Sequence, residues 1–304
     1  MALRHFLTGE ELAPAEVVAL VERAAELKKG RAEGFAEDAL SGQSVALLFE
    51  RPSTRTRISF QVAVAELGGN PVELRAEELQ LGRGESVADT ARMLSRFVSG
   101  VVIRSGSDER VAELAKHADV PVISGLTPLH HPCQALADLT TLAERFGKLD
   151  GLRVAYVGDG NNVARSLAVL GGLVGVEVAV AAPEGYQLEN GEAAQLTDDP
   201  FEAATGAHAL YTDVWVSMGD EATADERREA LAPYQLREEL LEAAADDAVV
   251  LHCLPAHPGE EITEGLLYGE RSAVWDQAEN RLHAQKALLE LLVARWGPRL
   301  TPAS

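Results

Sequence analysis

The residue types best suited to chemistry in this chain form a short polar run behind an apolar segment. The segment 45–49 is strand-like, and the run behind it consists of Ser53, Thr54, Arg55, Thr56 and Arg57. Ser53 is predicted to cap a helix. The free N–H groups and the dipole at a helix start favour an anion, and the arginine fork matches phosphate oxygens. The run therefore predicts a phosphate site to which its arginines contribute, with a capped helix and solvated arginines as the simpler alternative.

Further polar side chains follow the next strand-like segments. Arg104 ends the segment 100–104. Alone it would be structural, but beside the phosphate turn it predicts a second anion contact, because ligands bind at strand ends in such sheets. His131, Cys133 and Gln134 then open a helix, and the possible ligands His130, His131 and Cys133 are too crowded for one ordinary zinc site. We interpret them as a neutral histidine and an amide that face a carbonyl group.

The second half of the chain begins with a glycine-containing turn. Residues 158–163 follow a strand-like segment and offer Asn162 at a helix start. They resemble the start of a dinucleotide fingerprint, but the third glycine position is Val163. An NAD(P)-dependent oxidoreductase therefore stays as an alternative from another class. A non-catalytic protein that binds a phosphate ester is a second alternative.

Two more strand ends carry candidates for an amine site. Asp213 lies where a strand is predicted to end, and its carboxylate could pair with a substrate ammonium or cap a turn. The polar stretch that begins with Ser217 and Met218 is typical of a mobile flap. His252 and Cys253 lie at the end of another strand-like segment, where a catalytic Cys–His pair is conceivable, but adjacent residues at a strand end point in opposite directions.

Apolar strand-like segments alternate with helical patterns, which is typical of α/β layers around parallel sheets. The predicted fold is α/β with two similar domains, each a parallel sheet flanked by helices, joined by hinge helices. The strand segments fall into two sets of four: 45–49, 71–74, 100–104 and 121–124, then 152–157, 176–181, 209–214 and 248–252. The predicted parts are a first domain 1–133, a hinge helix 134–150, a second domain 151–279 and a C-terminal helix 280–304 that packs back on the first domain.

The composition bounds the partners and the compartment. The chain has 304 residues and a formal net charge of −21, which argues against nucleic acid and anionic membranes as partners. Its only cysteines, Cys133 and Cys253, lie far apart, which fits free thiols in a reducing compartment. No apolar run approaches the ~18 residues of a membrane span. We therefore predict a cytoplasmic protein that binds small molecules, with no nucleic-acid and no membrane partner.

Six motifs, taken in this order, resemble the aspartate/ornithine carbamoyltransferase superfamily and its ornithine branch in particular. They cover essentially the whole chain and lie at 53–57, 131–134, 159–163, 213–219, 252–255 and 279–281. The segments 217–219 and 252–255 are what separate the ornithine enzymes from the aspartate enzymes. The last motif places Arg281 at the predicted start of the C-terminal helix.

The resemblance implies transfer of a carbamoyl group from carbamoyl phosphate to the δ-amine of L-ornithine, giving L-citrulline, in homotrimers or multiples of trimers. Carbamoyl phosphate would contact Ser53, Thr54, Arg55, Thr56, Arg104, His131, Gln134, Cys253, Leu254, Arg281 and, from a neighbouring subunit, Gln80. Ornithine would contact Asn162, Asp213, Ser217 and Met218. The catalytic residues would be Arg104, His131, Asp213 and Cys253, with no metal and no cofactor. Putrescine and N-acetylornithine are the alternative amine substrates within the family.

Overall fold

The computed structural model describes residues 4–75, 84–189, 194–217 and 221–294. By its contacts the chain divides into two compact units, each of which has its own sheet. Unit 1 comprises Met1–Cys133 with Arg281–Ser304, and unit 2 comprises Gln134–Asn280. The predicted domain limits and the hinge role of 134–150 stay predictions.

Unit 1 is built on four parallel strands. They are β1 (Ser44–Phe49), β2 (Asn70–Arg75), β3 (Gly100–Arg104) and β4 (Val122–Leu126), in the spatial order β2-β1-β3-β4. The helices are α1 (Pro14–Ala32), α2 (Arg55–Glu66), α3 (Val87–Leu94) and α4 (Asp108–His117). The two middle strands are buried along almost their whole length, which is why they are continuous apolar runs in the sequence.

Unit 2 is built on five parallel strands. Helix α5 (Pro132–Phe146) precedes β5 (Arg153–Val157), β6 (Glu177–Ala181), β7 (Ala194–Thr197), β8 (Ala209–Thr212) and β9 (Val249–His252). The spatial order is β7-β6-β5-β8-β9. The further helices of unit 2 are α6 (Asn162–Leu173), α7 (Pro200–Ala204), α8 (Ala224–Leu231), α9 (Glu238–Ala243) and α10 (Glu264–Tyr268). Helix α11 (Val274–Leu289) begins in unit 2, belongs to unit 1 from Arg281 onwards, and continues as a π-helical segment, Glu290–Ala294. The predicted fold class, α/β with two parallel sheets flanked by helices, is confirmed.

The prediction of four strands in the second sheet was wrong. The additional strand β7 pairs with β6 at the sheet edge, and its middle residues Gln195 and Leu196 are exposed. An exposed edge strand needs no apolar run, so its sequence lacks the pattern that marks the buried strands.

The predicted start of the last helix was also wrong, since α11 begins at Val274 and not at Asn280. Polar residues inside this helix are buried, among them Gln277, Asn280 and Arg281. Polar residues ahead of an apolar run resemble a solvent-exposed helix start, and this caused the error. Among the described residues, no helix is both long enough and apolar enough to cross a membrane.

Candidate active site

Unit 1 brings the first two polar clusters of the sequence to one edge of its sheet. Phe49 at the end of β1 pairs with Arg104 at the end of β3, so the turn that follows β1 lies beside Arg104. The Nη1 group of Arg104 donates a hydrogen bond to the Oγ atom of Ser53 at 3.2 Å. Ser53 was predicted to cap α2, and this was wrong, because Thr54 occupies the N-cap position and makes no side-chain cap.

Thr56 and Arg281 form a buried pair in the same unit. The Nη2 group of Arg281 donates to the Oγ1 atom of Thr56 at 2.5 Å, and the two residues are 3% and 1% exposed. The buried Nε atom of Arg281 has no hydrogen-bond partner among the described residues. A buried guanidinium is costly unless an acceptor or an anion meets it, so this arrangement favours a negatively charged ligand.

His131 lies buried beside these cations. Burial, and then the positive charges of Arg281, Arg104 and Arg55, hold the pKa of His131 well below its usual value. The imidazole is therefore neutral near neutral pH, and it can donate a hydrogen bond without adding charge. We call Ser53, Arg55, Thr56, Arg104, His131 and Arg281 the anion cluster.

Arg57 does not belong to the anion cluster, and this corrects the expectation that both arginines of the run contact a phosphate. Its Nη1 group lies 3.1 Å from the Oε1 atom of Glu73 on β2. Gln61 donates to the other oxygen of the same carboxylate at 2.7 Å. Arg55, by contrast, is exposed on the first turn of α2.

Two further predicted residues, Cys133 and Gln134, lie at the start of α5 and carry a thiol and an amide. Cys133 is buried, its Sγ atom lies 3.3 Å from the carbonyl oxygen of Ser124, and burial raises its pKa to about 12. It is therefore a protonated thiol and not a nucleophile. Gln134 is buried on the first turn of α5, and its Nε2 group donates to Asp138 at 2.8 Å.

Asp213 of unit 2 is held by an asparagine that the sequence reading missed. The Nδ2 group of Asn161 donates to the Oδ2 atom of Asp213 at 3.1 Å. The Oδ1 atom of Asn161 accepts from the Tyr156 hydroxyl at 3.0 Å and caps α6 through the N–H groups of Val163 and Ala164. An asparagine ahead of an apolar helical run is an N-cap signal, so Asn161 could have been found. Asn162 is the first residue of α6.

Burial raises the pKa of Asp213, and the hydrogen bond from Asn161 opposes this shift. A carboxylate that has lost part of its hydration gains most from a cationic or hydrogen-bond-donating ligand. Asp213 is therefore suited to meet the amine or ammonium groups of a substrate. Ser217 is half-buried a few residues further along the chain.

The turn after β9 carries Cys253 and Leu254. Cys253 is buried, and Leu254 has a φ of 62°, which is unusual for a residue with a side chain. The backbone N–H of Leu254 donates to the Nδ1 atom of His252 at 2.8 Å. The Nε2 atom of His252 therefore carries the proton and faces the Oε1 atom of buried Glu261 at 3.1 Å. His252 and Glu261 therefore hold the backbone of the turn that carries Cys253 and Leu254.

Two of the predicted site residues fall between the described ranges. Gln80 and Met218 lie outside the described residues. The expected contacts of Gln80 with a neighbouring subunit and of Met218 with ornithine therefore stay predictions.

The glycine turn after β5 serves the protein's own packing. The N–H of Gly160 donates to the carbonyl oxygen of Tyr186 at 2.7 Å. A Cβ atom at Gly160 would lie 2.6 Å from the backbone nitrogen of Leu188. The glycine is thus required by a neighbouring loop, and this explains the turn without a dinucleotide.

Among the described residues, one group has the composition of a metal site: His257, Glu260 and Glu261. Glu260 accepts a hydrogen bond from Arg228 at 3.2 Å, and Glu261 is engaged by His252. These carboxylates therefore already have protein partners, which disfavours an ion there.

Two family models match the chain. The one described as "Aspartate/ornithine carbamoyltransferase, carbamoyl-P binding domain" matches residues 4–144. The one described as "Aspartate/ornithine carbamoyltransferase, Asp/Orn binding domain" matches residues 150–292. The anion cluster lies almost wholly in the first match, and Asp213 and Cys253 lie in the second.

Curated relatives and solved structures match along the whole length. The ornithine carbamoyltransferase of Acidothermus cellulolyticus is 52% identical over 314 residues, which covers 99% of this chain and 100% of the relative. The structure of ornithine carbamoyltransferase from Pyrococcus furiosus has a TM-score of 0.92 at 46% identity, and covers 96% of this chain and 97% of that one. The enzyme from Thermus thermophilus has a TM-score of 0.89 at 46% identity, with 96% and 100% covered.

Proposed function

Because the chain belongs to the aspartate/ornithine carbamoyltransferase family, we propose that it transfers the carbamoyl group of carbamoyl phosphate to the δ-amine of L-ornithine. The products are L-citrulline and phosphate. The resemblance that the six motifs predicted is confirmed by full-length relatives named ornithine carbamoyltransferase. The observation that carries the function is the anion cluster, in which buried Arg281 and a neutral His131 occur together in the unit matched by the carbamoyl-phosphate domain.

Carbamoyl phosphate is bound first through its phosphate. We assign this contact to the start of α2 with Ser53, Thr54, Arg55 and Thr56, and to the guanidinium groups of Arg104 and Arg281. Helix N–H groups and arginines stabilise the phosphate more strongly as it departs with the electron pair of the broken C–O bond. The pairs Arg104–Ser53 and Arg281–Thr56 support this assignment, since they hold the donors in place before the ligand arrives.

The carbonyl oxygen gains negative charge when the amine attacks. Arg104, His131 and Thr56 are the donors for this oxygen. A neutral imidazole suits this task because its N–H group donates a hydrogen bond but is a very weak acid, so the proton stays on the ring. Gln134 and the backbone of Cys253 and Leu254 bind the amide side of the carbamoyl group.

Ornithine is held by unit 2. Asp213, Asn162, Ser217 and Met218 are assigned to its amino-acid and amine groups, and Cys253 positions the δ-amine. The amine attacks in its neutral form, so a new C–N bond forms, the bond from carbon to the phosphate oxygen breaks, and the proton that the amine loses goes to the departing phosphate. Relatives named for ornithine favour this amine over aspartate, putrescine or N-acetylornithine.

The assembly and setting are proposals that rest on the family. We propose a cytoplasmic homotrimer, or a multiple of trimers, that serves arginine biosynthesis, in which Gln80 of one subunit reaches the phosphate of the next. Arg55→Ala and Gln80→Ala subunits, each impaired alone, should regain part of the lost activity when they are mixed and reassembled. Hybrids confirmed by mass that are no more active than the two parent variants would count against a shared site.

The function itself is tested with purified protein and four amines side by side. Citrulline formation from ornithine should exceed product formation from putrescine, N-acetylornithine and aspartate by about two orders of magnitude or more, because each analogue leaves a polar group of the site without its partner. A faster reaction with any of the other three would reassign the substrate.

A further inference from the structure

A buried carboxylate outside the assigned site, Asp138 on α5, joins parts of unit 2 that are distant in sequence. Its Oδ1 atom accepts from the Nε2 groups of Gln134 at 2.8 Å and of Gln277 at 2.7 Å. Its Oδ2 atom accepts from the Tyr211 hydroxyl at 3.1 Å. Asp138 is fully buried, and the two glutamines are at most 1% exposed.

These contacts fix the orientation of both amides. A carboxylate oxygen only accepts hydrogen bonds, so each glutamine must turn its nitrogen towards Asp138. The Oε1 atom of Gln277 accepts from the backbone N–H of His252 at 2.9 Å, which agrees with this orientation of its amide.

In Gln134 the Nε2 group is taken up by Asp138, so the Oε1 atom points away from this carboxylate. The Oε1 atom is buried and has no hydrogen-bond partner among the described residues. A buried amide oxygen in that state is destabilising until a donor reaches it. The protein thus holds a single acceptor in a fixed direction, and the –NH2 of a carbamoyl group is a donor that fits it.

We propose that Asp138 is a positioning residue that sets donor specificity: it holds Gln134 so that its Oε1 atom accepts a hydrogen bond from the –NH2 of the carbamoyl group. This inference rests on the proposed function. An acyl phosphate with –CH3 in place of –NH2 has nearly the same shape and charge, but it leaves this oxygen buried without a donor. The site therefore selects a carbamoyl donor over an acetyl donor.

The second arm of Asp138 acts on the turn after β9. Through Gln277 it holds the backbone of His252, and His252 accepts from the N–H of Leu254. One carboxylate thus orients Gln134 and steadies the backbone next to Cys253. Gln134 and the backbone of Cys253 and Leu254 are the groups assigned above to the –NH2 side of carbamoyl phosphate.

The test uses two unreactive ligands that differ only at the group in question. Phosphonoacetamide carries –NH2 and 2-oxopropylphosphonate carries –CH3 at the same place. By calorimetry, the wild type should bind the amide about tenfold more tightly or better. In Asp138→Asn the new carboxamide can donate as well as accept, so Gln134 is free to turn over, and the preference should fall towards one. Inorganic phosphate should bind equally to both proteins.

Glu144→Gln is the matched control, because it makes the same chemical change on the same helix. Glu144 accepts from Asn280 at 2.7 Å, and it lies ten positions beyond Gln134, about 15 Å further along the helix. It should keep the wild-type preference. Gln134→Met should lose the preference, and Asp138→Asn in that background should cause no further loss.

Three results would overturn the proposal: equal binding of both ligands by the wild type, an unchanged preference in Asp138→Asn, or full additivity in the double variant. If Asp138→Asn does not fold, Tyr211→Phe decides, because it removes one contact of Asp138 without touching Gln134. A lowered preference supports positioning, and an unchanged one refutes it. A wild type that forms citrulline but shows no preference refutes this inference alone, whereas a protein that forms none refutes the function.

Discussion

Arg55→Ala should lower kcat/KM for carbamoyl phosphate by about ten- to a hundredfold and leave the fold intact. The variant removes one charge-assisted hydrogen bond to phosphate, which is worth about 1.5–3 kcal/mol. Arg55 is exposed at the first position of α2, where a positive charge opposes the helix dipole. Its removal should therefore change the free energy of unfolding by no more than about 0.5 kcal/mol.

Arg57→Ala is the control that the chain itself supplies, two positions further along the same turn. Its guanidinium lies 3.1 Å from Glu73, and the two side chains are 37% and 26% exposed. A pair of this exposure stabilises the fold by about 0.2–1 kcal/mol, which corresponds to less than about 4 °C in Tm. The kinetic constants of this variant should stay within about twofold of the wild type, because Arg57 is not directed at the phosphate.

The assay follows citrulline formation against carbamoyl phosphate at saturating ornithine, with inorganic phosphate titrated calorimetrically as a second reading. An Arg55→Ala enzyme with wild-type constants would refute the phosphate assignment. So would an Arg57→Ala enzyme that is damaged as much as Arg55→Ala, since the two arginines would then act alike.

Asp213→Asn should reduce kcat/KM for ornithine by about ten- to a hundredfold, and by more than Cys253→Ala does, because it removes the charge that meets the substrate amine. Burial raises the pKa of Asp213, so the charged carboxylate is less favourable in the folded protein than in the unfolded chain. The free energy of unfolding therefore falls as the pH rises from the ordinary pKa of an aspartate to the raised pKa of Asp213, and Asp213→Asn should melt no lower than the wild type at about pH 8. Wild-type activity should rise from about pH 7 to 9 as the amine loses its proton, and a falling profile would contradict the neutral-amine mechanism. The low pKa of His131 means that only the unfolded chain takes up its proton below about pH 6.5, so stability should fall there and His131→Gln should flatten the slope. Nitrogen NMR should show that His131 is still neutral at about pH 6.5, where an ordinary imidazole is half protonated, and a titration near that ordinary value would refute this.

The sequence predicted the strand ends well because parallel strands buried on both faces are continuous apolar runs. For the same reason Arg104, which ends β3, and Asp213, which follows β8, lie at strand ends as predicted. The edge strand β7 was missed because half of it is exposed. The start of α11 was misplaced because Gln277 and Asn280 are buried by hydrogen bonds to α5, and no local pattern reports such partners.

The residues that hold the candidate site residues in place were not predicted from the sequence. Asp138 meets Gln277 across 139 positions of sequence, and Glu261 meets His252 only after the chain has turned back. A buried carboxylate inside a helix or loop looks like an ordinary solvated residue until its partners are known. Arg57 shows the opposite error, since its spacing suggested a phosphate contact, whereas its guanidinium group pairs with the carboxylate of Glu73.

The most direct test of the central claim follows the carbamoyl carbon itself. Carbamoyl phosphate labelled with carbon-13 at the carbonyl position is mixed with the enzyme and L-ornithine and observed by NMR, with and without exhaustive chelation. The label should appear in the ureido carbon of citrulline, with one phosphate released per citrulline, and chelation should leave the rate unchanged because the arginines of the anion cluster supply the positive charge. Label released as free carbonate or cyanate without citrulline, or a rate lost on chelation and restored by a divalent ion, would contradict the account.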